Sequence, residues 1–182
     1  MTTTGGQGDL AAELCGITKR FGDLVANDAV DLALTRGEVH ALLGENGAGK
    51  TTLMRILYGL THADAGTIEV DGSPVTIHSP RDAIGAGIGM VTQHFSLVQP
   101  MSVTENVILG RASGARLDLV AARRSVEEAA DRFGIAVAPD AIVADLSVGE
   151  QQRVEIVKAL ARDCRVLILD EPTAVLLSLI HI

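Results

Sequence analysis

The sequence contains very few aromatic side chains, with one tyrosine, three phenylalanines and no tryptophan among 182 residues. This scarcity leaves few flat surfaces on which single-stranded nucleic-acid bases could stack. Basic residues are also outnumbered, because 15 lysines and arginines stand against 23 aspartates and glutamates, which gives a net charge of −8. A broad nucleic-acid or anionic-lipid surface is therefore not expected, and we predict no nucleic-acid partner.

Cysteines and long apolar runs are also scarce. Cys15 and Cys164 are the only cysteines, and they lack the close spacing of metal ligands, which favours two reduced thiols in a cytosolic protein. Residues 1–9 have neither the basic region nor the apolar core of a signal peptide, and we predict a disordered tail there. No apolar run reaches the length of a membrane-spanning helix, so any membrane role is predicted to be peripheral.

The order of the strand and helix patterns along the chain indicates an α/β protein. Apolar residues make up 47% of the chain, which suits a globular core. Strand patterns at 10–21 and 24–37 predict antiparallel N-terminal β segments, and 38–43 reads as a short buried strand. Further strand and helix patterns alternate down the chain, while the stretch from 95 to 149 contains helical patterns only. We predict a mostly parallel sheet with a helical subdomain.

A glycine-rich stretch, GENGAGKT, lies between an apolar segment and a helical pattern. It fits G-x-x-x-x-G-K-[ST], in which curled backbone N–H groups and a helix N-terminus bind phosphate. Lys50 would place its charge against the β- and γ-phosphates, and the Thr51 hydroxyl would be a ligand of Mg²⁺. The nucleotide-binding residues predicted here are Gly44, Asn46, Gly47, Ala48, Gly49, Lys50, Thr51 and Thr52.

Two acidic residues follow the apolar stretch RVLIL. Asp170 and Glu171 would lie at the carboxyl end of a buried strand, the edge where open α/β sheets carry their ligand chemistry. Alone, such a pair is often an ordinary solvated strand end. With a phosphate loop in the same chain, Asp170 is predicted to hold Mg²⁺ through water, and Glu171 to polarise the attacking water.

The stretch LSVGEQQRVEIVKAL, residues 146–160, resembles the signature of the ATP-binding-cassette (ABC) ATPases. The remaining motifs occur in the order found in that family over about residues 10–176, so the resemblance implies a P-loop ATPase that uses ATP and Mg²⁺. It also implies that Phe21 stacks on adenine. Gln93 would sense Mg²⁺ and the transport partner and join Lys50 and Glu171 as a catalytic residue.

The signature itself carries two departures from the common family pattern. The resemblance implies that Ser147 and Gly149 meet the γ-phosphate of a nucleotide held by a second ATPase domain, in tandem or in trans. Val148 stands where many members have glycine, and Glu150 where many have glutamine. Val148 restricts the backbone, and Glu150 would repel a phosphate that it faced. Relatives among importers carry similar variants, so we do not interpret them as inactivating.

Several stretches are similar to the first of two ATPase domains in tandem cassette proteins of simple-sugar and nucleoside importers. This narrower resemblance implies an ATP-hydrolysing subunit on the cytoplasmic face of the membrane, docked on two permease subunits and served indirectly by an extracytoplasmic solute-binding protein. The segment from Gln93 through Met101 to Asn106 would form the docking surface.

The predicted domain organisation follows from the motifs. Residues 10–94 and 150–176 form an incomplete ATP-binding core, 95–149 the helical subdomain with the signature, and 1–9 the tail. Residues 177–182, LSLIHI, do not resemble the family and match the translation of a sequencing-library adapter, so we interpret them as a non-native end. Because the switch-histidine region of the family is then missing, we expect this fragment alone to be at best a weak nucleotide binder.

Two other functions remain open at this point. A chromosome-type cassette ATPase is excluded, because no heptad-rich coiled coil separates Lys50 from Leu146. A ribosome-associated cassette ATPase fits the same core motifs. A catalytically silent nucleotide-binding cassette fits them too, although the presence of Glu171 favours a competent site.

Overall fold

The structure is a computed structural model that describes residues 9–92, 96–109 and 118–170. Predictions for Gln93, Glu171 and residues 177–182 therefore lie outside the described residues, as does most of the predicted tail. The chain divides into two compact units, Met1–Gly89 and Met90–Ile182. The strands are β1 (Leu10–Phe21), β2 (Leu24–Thr35), β3 (Ala65–Val70), β4 (Ser73–Val75), β5 (Ile88–Val91) and β6 (Val166–Leu169). The helices are α1 (Lys50–Leu57), α2 (Pro80–Gly85), α3 (Val103–Ile108), α4 (Leu119–Arg132) and α5 (Val148–Leu160), and a 3₁₀ turn spans Val143–Asp145.

The first unit is built on a four-stranded antiparallel sheet in the order β2-β1-β3-β4. The predicted antiparallel N-terminal strands are therefore confirmed. β3 and β4 are joined at Asp71 and Gly72, which both have positive φ angles, 53° and 68°. Two consecutive left-handed residues suit the right-handed twist of a tight hairpin. Leu14 and Ile17 of β1 and Leu57 of α1 are fully buried in this unit.

The apolar segment 38–43 does not form the strand that its sequence predicts. Val39 is 78% exposed and Leu43 is 91% exposed, so these side chains are not in a core. A strand exists only where a neighbour satisfies its backbone hydrogen bonds, and within the described ranges no strand pairs with this segment. Apolar composition alone therefore gave the wrong local structure here.

The second unit combines helices α3, α4 and α5 with β6 and the end of β5. β5 and β6 form a two-stranded sheet, and the Asp170 N–H donates to the Val91 carbonyl at 3.0 Å. The two strands therefore end side by side and run in the same direction. The α/β class is thus confirmed, with parallel pairing in the described residues confined to β5 and β6. None of the helices in the described ranges has the length and apolar character needed to cross a membrane.

The apolar residues that recur with helical spacing in α4 are buried in the centre of the helix and exposed at its ends. Ala122, Val126 and Ala129 are buried, whereas Leu119 is 48% exposed and Phe133 is 40% exposed. Leu119 is the first residue of the helix and Phe133 lies just after its last residue. Helical periodicity identifies the face of a helix, but it does not show where the neighbouring elements stop covering that face.

Asn106 is fully buried, so it cannot belong to an exposed docking surface as the resemblance implied. Its side chain instead organises the loop before α3. The amide oxygen accepts from the Val98 N–H at 2.7 Å, and the amide nitrogen donates to the Val98 and Ser102 carbonyls, each at 3.0 Å. A single side chain thus adds hydrogen bonds to both ends of the irregular segment 98–102, beside the backbone bonds that the segment already makes.

We expect Asn106→Ala to lower the free energy of unfolding by about 2–4 kcal/mol, because it removes three hydrogen bonds of a fully buried side chain, including the one that the Val98 N–H donates. Chemical denaturation of the variant measures this loss. Glu128→Ala is the matched control, since Glu128 is an exposed residue of α4. Equal stability of the two variants would show that Asn106 does not organise the loop.

Candidate nucleotide-binding site

The glycine-rich loop leads directly into α1. Gly49 is the N-cap of this helix, with a left-handed φ of 81°, and no side chain caps the first turn. The Gly49 carbonyl already accepts from the Leu53 N–H at 2.9 Å, so the helix is regular from its first residue. The first N–H groups of a helix have no partner within it, and they favour an anion in front of them.

The Lys50 ammonium is held by the loop itself. It donates to the Gly44 carbonyl at 2.7 Å and to the Glu45 carbonyl at 2.8 Å. The loop therefore curls around a full positive charge next to an uncapped helix start. A cation beside the unpartnered N–H groups of a helix start is a set of donors that fits a phosphate group.

The loop has no room for a side chain at Gly49. A Cβ atom there would lie 2.1 Å from the Ala26 carbonyl oxygen and 2.9 Å from the Asn27 amide nitrogen. Asn27, in β2, is 5% exposed and donates its amide nitrogen to the Gly49 carbonyl at 3.3 Å. The second strand thus fixes the point at which the loop becomes a helix.

Sequence reasoning missed Asn27, although the sequence carries a signal. The signal is an asparagine in a predicted strand that is rich in apolar residues, since an amide that becomes buried there needs hydrogen-bond partners. Its amide oxygen is buried and has no hydrogen-bond partner in the described part of the chain. The side chain therefore retains an acceptor directly beside the loop.

Phe21, the predicted adenine-stacking residue, lies at the last position of β1, next to the β1–β2 turn. Its side chain is 50% exposed, and the Lys19 ammonium lies 5.4 Å from the ring centroid. A half-exposed ring with a cation beside it offers an apolar surface for a flat, polarisable base. Its location in the strand hairpin is thus compatible with the predicted role, which stays a prediction.

The signature helix α5 begins in a different way from α1. Ser147 is its N-cap, and Glu150 completes a capping box in which the carboxylate accepts from the Ser147 N–H at 2.8 Å and from its hydroxyl at 2.6 Å. The hydrogen bonds from Ser147 lower the pKa of Glu150. Gly149 is the second residue of the helix, and Val148 is 66% exposed. An anion at this helix start would have to displace the Glu150 carboxylate from Ser147.

Of the predicted acidic and metal-binding residues, the described ranges contain Thr51 and Asp170. Thr51 lies in the first turn of α1. Asp170 follows β6 directly, with its N–H bonded to the last residue of β5, as expected for a carboxylate at the end of a parallel strand pair. Gln93 and Glu171 lie outside the described residues, so their roles stay predictions.

We expect Gly49→Ala to weaken binding of MgATP at least tenfold and to lower the free energy of unfolding by about 3 kcal/mol or more, because the new methyl group meets backbone. Gly37→Ala is the matched control. Gly37 also has a left-handed φ, 71°, but its Cβ would meet open space. A loss for Gly37→Ala as large as that for Gly49→Ala would refute the packing argument.

Glu150→Gln is expected to remove a pH-dependent contribution to stability. The folded-state pKa of Glu150 is lowered, so its carboxylate stabilises the fold above the unfolded-state pKa, and this contribution disappears as pH falls through the folded-state pKa. The difference in Tm between the unmodified protein and Glu150→Gln should therefore be largest near neutral pH and shrink as the pH falls through the folded-state pKa. Glu128→Gln serves as control, and a Tm difference for Glu150→Gln that is constant with pH would contradict the assignment.

Comparison with known proteins assigns the family. The family description ABC transporter matches residues 27–174. The nucleoside import ATP-binding protein NupA of Lactococcus lactis is 55% identical over 90% of this chain and 33% of its own length. The ribose import ATP-binding protein RbsA 1 of Burkholderia thailandensis is 53% identical over 92% of this chain and 34% of its own.

Similarity to solved structures agrees with the sequence matches. The structure of cbiO1 from Clostridium perfringens, part of the ABC transporter complex cbiONQ, superposes with a TM-score of 0.75 and 32% identity, covering 91% of this chain and 67% of that one. This chain spans about one third of the length of the curated relatives that it matches. The chain belongs to the ABC transporter family.

Proposed function

We propose that this chain is the nucleotide-binding part of an ATPase subunit that energises import of a nucleoside or a simple sugar. The observation that carries the proposal is the glycine loop, in which a left-handed Gly49, an uncapped helix start and the Lys50 ammonium converge. A triphosphate is the ligand that best uses a full positive charge beside several aligned N–H donors.

The loop residues would bind and orient ATP. Lys50 would exchange the Gly44 and Glu45 carbonyls for β- and γ-phosphate oxygens, which form stronger, charge-assisted hydrogen bonds with its ammonium. The N–H groups of the first turn of α1 would hold the phosphates in a fixed direction. Phe21 would contact the adenine ring. This positioning supplies much of what phosphoryl transfer requires of a protein.

The remaining catalytic groups are proposed from the family pattern. Thr51 and Asp170 carry hard oxygen atoms of the kind that Mg²⁺ prefers, and Gln93 would be a further ligand. When bound, Mg²⁺ would neutralise developing charge on the phosphates. Glu171 would accept a hydrogen bond from the attacking water and so orient it.

The transport role rests on the relatives. Two import ATP-binding proteins, for nucleosides and for ribose, are each more than 50% identical to this chain over about nine tenths of its length. We therefore propose that the complete protein works at the cytoplasmic face of the membrane with two permease subunits, a second ATPase domain and, indirectly, an extracytoplasmic solute-binding protein. Ser147 and Gly149 would meet the nucleotide of that second domain.

Lys50→Ala, in a full-length protein that contains this chain, is expected to reduce MgATP affinity and ATP turnover at least tenfold, because the charge that binds the β- and γ-phosphates is lost. Turnover and binding of a fluorescent ATP analogue measure both effects. Arg124→Ala removes an exposed charge from α4 and is the control. Undiminished binding and turnover in Lys50→Ala would overturn the proposed function.

A further inference from the structure

We propose that Lys19, held in place by Asp64, is a positioning residue for the base of the nucleotide: it fixes the Phe21 ring in the orientation that the base contacts. This inference rests on the proposed function and adds to it two residues to which the family resemblance gave no role. Lys19 and Phe21 lie two residues apart in β1, so both side chains are on the same face of the sheet.

The last three residues of β1 extend beyond the neighbouring strand β3. The pairing of these two strands ends where Thr18 lies opposite Ala65, the first residue of β3. Asp64 comes just before that residue, and its carboxylate accepts from the Arg20 N–H at 2.7 Å and from the Lys19 ammonium at 2.8 Å. A carboxylate thus accepts the Arg20 N–H at a point where β3 no longer offers a backbone carbonyl.

The ion pair between Lys19 and Asp64 is partly sheltered from water. The Lys19 side chain is 15% exposed, and that of Asp64 is 45% exposed. The hydrogen bond from Lys19, followed by the one from the Arg20 N–H, lowers the pKa of Asp64, so the carboxylate is ionised at neutral pH. An ion pair with an exposed partner adds little to stability. Its effect is on geometry, because it holds the ammonium in one place beside Phe21.

The Phe21 ring is half exposed, and the Lys19 ammonium lies 5.4 Å from its centroid. A cation at that distance is attracted to the electron-rich face of an aromatic ring. Without the cation, a half-exposed side chain at the end of a hairpin would exchange between rotamers, and a base would have to select one of them. Lys19 therefore reduces the ordering that binding of the base requires.

The same part of the hairpin also contacts the phosphate loop. Asn27 of β2 pairs with Lys19, and its side chain donates to the Gly49 carbonyl at 3.3 Å. The next residue of β1 pairs with Val25, so Ala26 is an extra residue of β2, and its carbonyl oxygen leaves no room for a Cβ atom at Gly49. One cross-strand pair therefore links the base side of the site to the loop. A nucleotide that spans both meets two ends that are already positioned.

The test compares two ligands in a full-length protein that contains this chain. By calorimetry, Lys19→Ala should weaken binding of MgATP about fivefold or more. Inorganic tripolyphosphate with Mg²⁺ should bind within about twofold of its affinity for the unmodified protein, because this ligand has no base. In turnover, KM for MgATP should rise by a factor similar to the loss of affinity, while kcat changes less than about twofold.

Further variants separate positioning from a structural role. Lys19→Arg should retain most of the affinity, because a guanidinium keeps both the ion pair and the contact with the ring. Asp64→Asn removes the charge that holds Lys19 but keeps an acceptor, so it should show a smaller loss of the same kind. Arg123→Ala is the matched control, since it breaks an exposed ion pair with Glu127 in α4 and should leave both affinities unchanged.

Phe21→Ala completes a double-mutant cycle. If Lys19 acts through the ring, adding Lys19→Ala to Phe21→Ala should weaken MgATP binding little further. Additive losses, an unchanged MgATP affinity in Lys19→Ala, or an equal loss for tripolyphosphate would each overturn the inference. Should Lys19→Ala fail to fold, Asp64→Asn takes its place in the cycle.

Lys50→Ala distinguishes failure of this inference from failure of the proposed function. If Lys50→Ala binds MgATP like the unmodified protein, the proposed function itself is wrong. If Lys50→Ala is impaired but Lys19→Ala binds MgATP normally, only the positioning role is refuted. An undiminished affinity in Phe21→Ala would refute both the adenine contact and this inference, while phosphate binding would still be judged by Lys50→Ala.

Discussion

The close approach of Gly49 to the Ala26 carbonyl is the constraint on which the candidate site depends. Only a residue without a side chain fits there, and only a left-handed backbone turns the loop into α1 at that point. In addition, the Asn27 side chain donates a hydrogen bond to the carbonyl group of Gly49 itself. The helix start, and with it the direction of the first-turn N–H groups, is thereby fixed by β2. The Lys50 charge then falls inside the curl of the loop.

The first turns of α1 and α5 differ in their chemistry. α1 begins at a glycine that has no side chain to cap the helix, so an external anion meets no competing group. α5 begins at Ser147, and the Glu150 carboxylate already uses the donors of that residue. The first arrangement suits tight binding of phosphate within one chain. At the second helix start an anion would have to compete with Glu150 for Ser147, so we expect weaker binding there.

Turns and helix caps depend on a few adjacent atoms, so their residue types are readable in the local sequence. Asp71 and Gly72 form the turn between β3 and β4, and Ser79 caps α2. Segment 38–43 was predicted wrongly, since strand formation depends on a distant partner. Asn27 was missed for the same reason, because its role comes from a contact with Gly49, far away in sequence. The phosphate-loop motif was readable because all of its parts are contiguous.

The central claim is that recognition is directed at the phosphates, through backbone N–H groups and Lys50. Calorimetric titration of a full-length protein that contains this chain with ATP, ADP, AMP and adenosine, in the presence of Mg²⁺, tests it most directly. The account predicts that ATP and ADP bind at least tenfold more tightly than AMP, and that adenosine binds most weakly. Equal affinities for ATP and adenosine would contradict it.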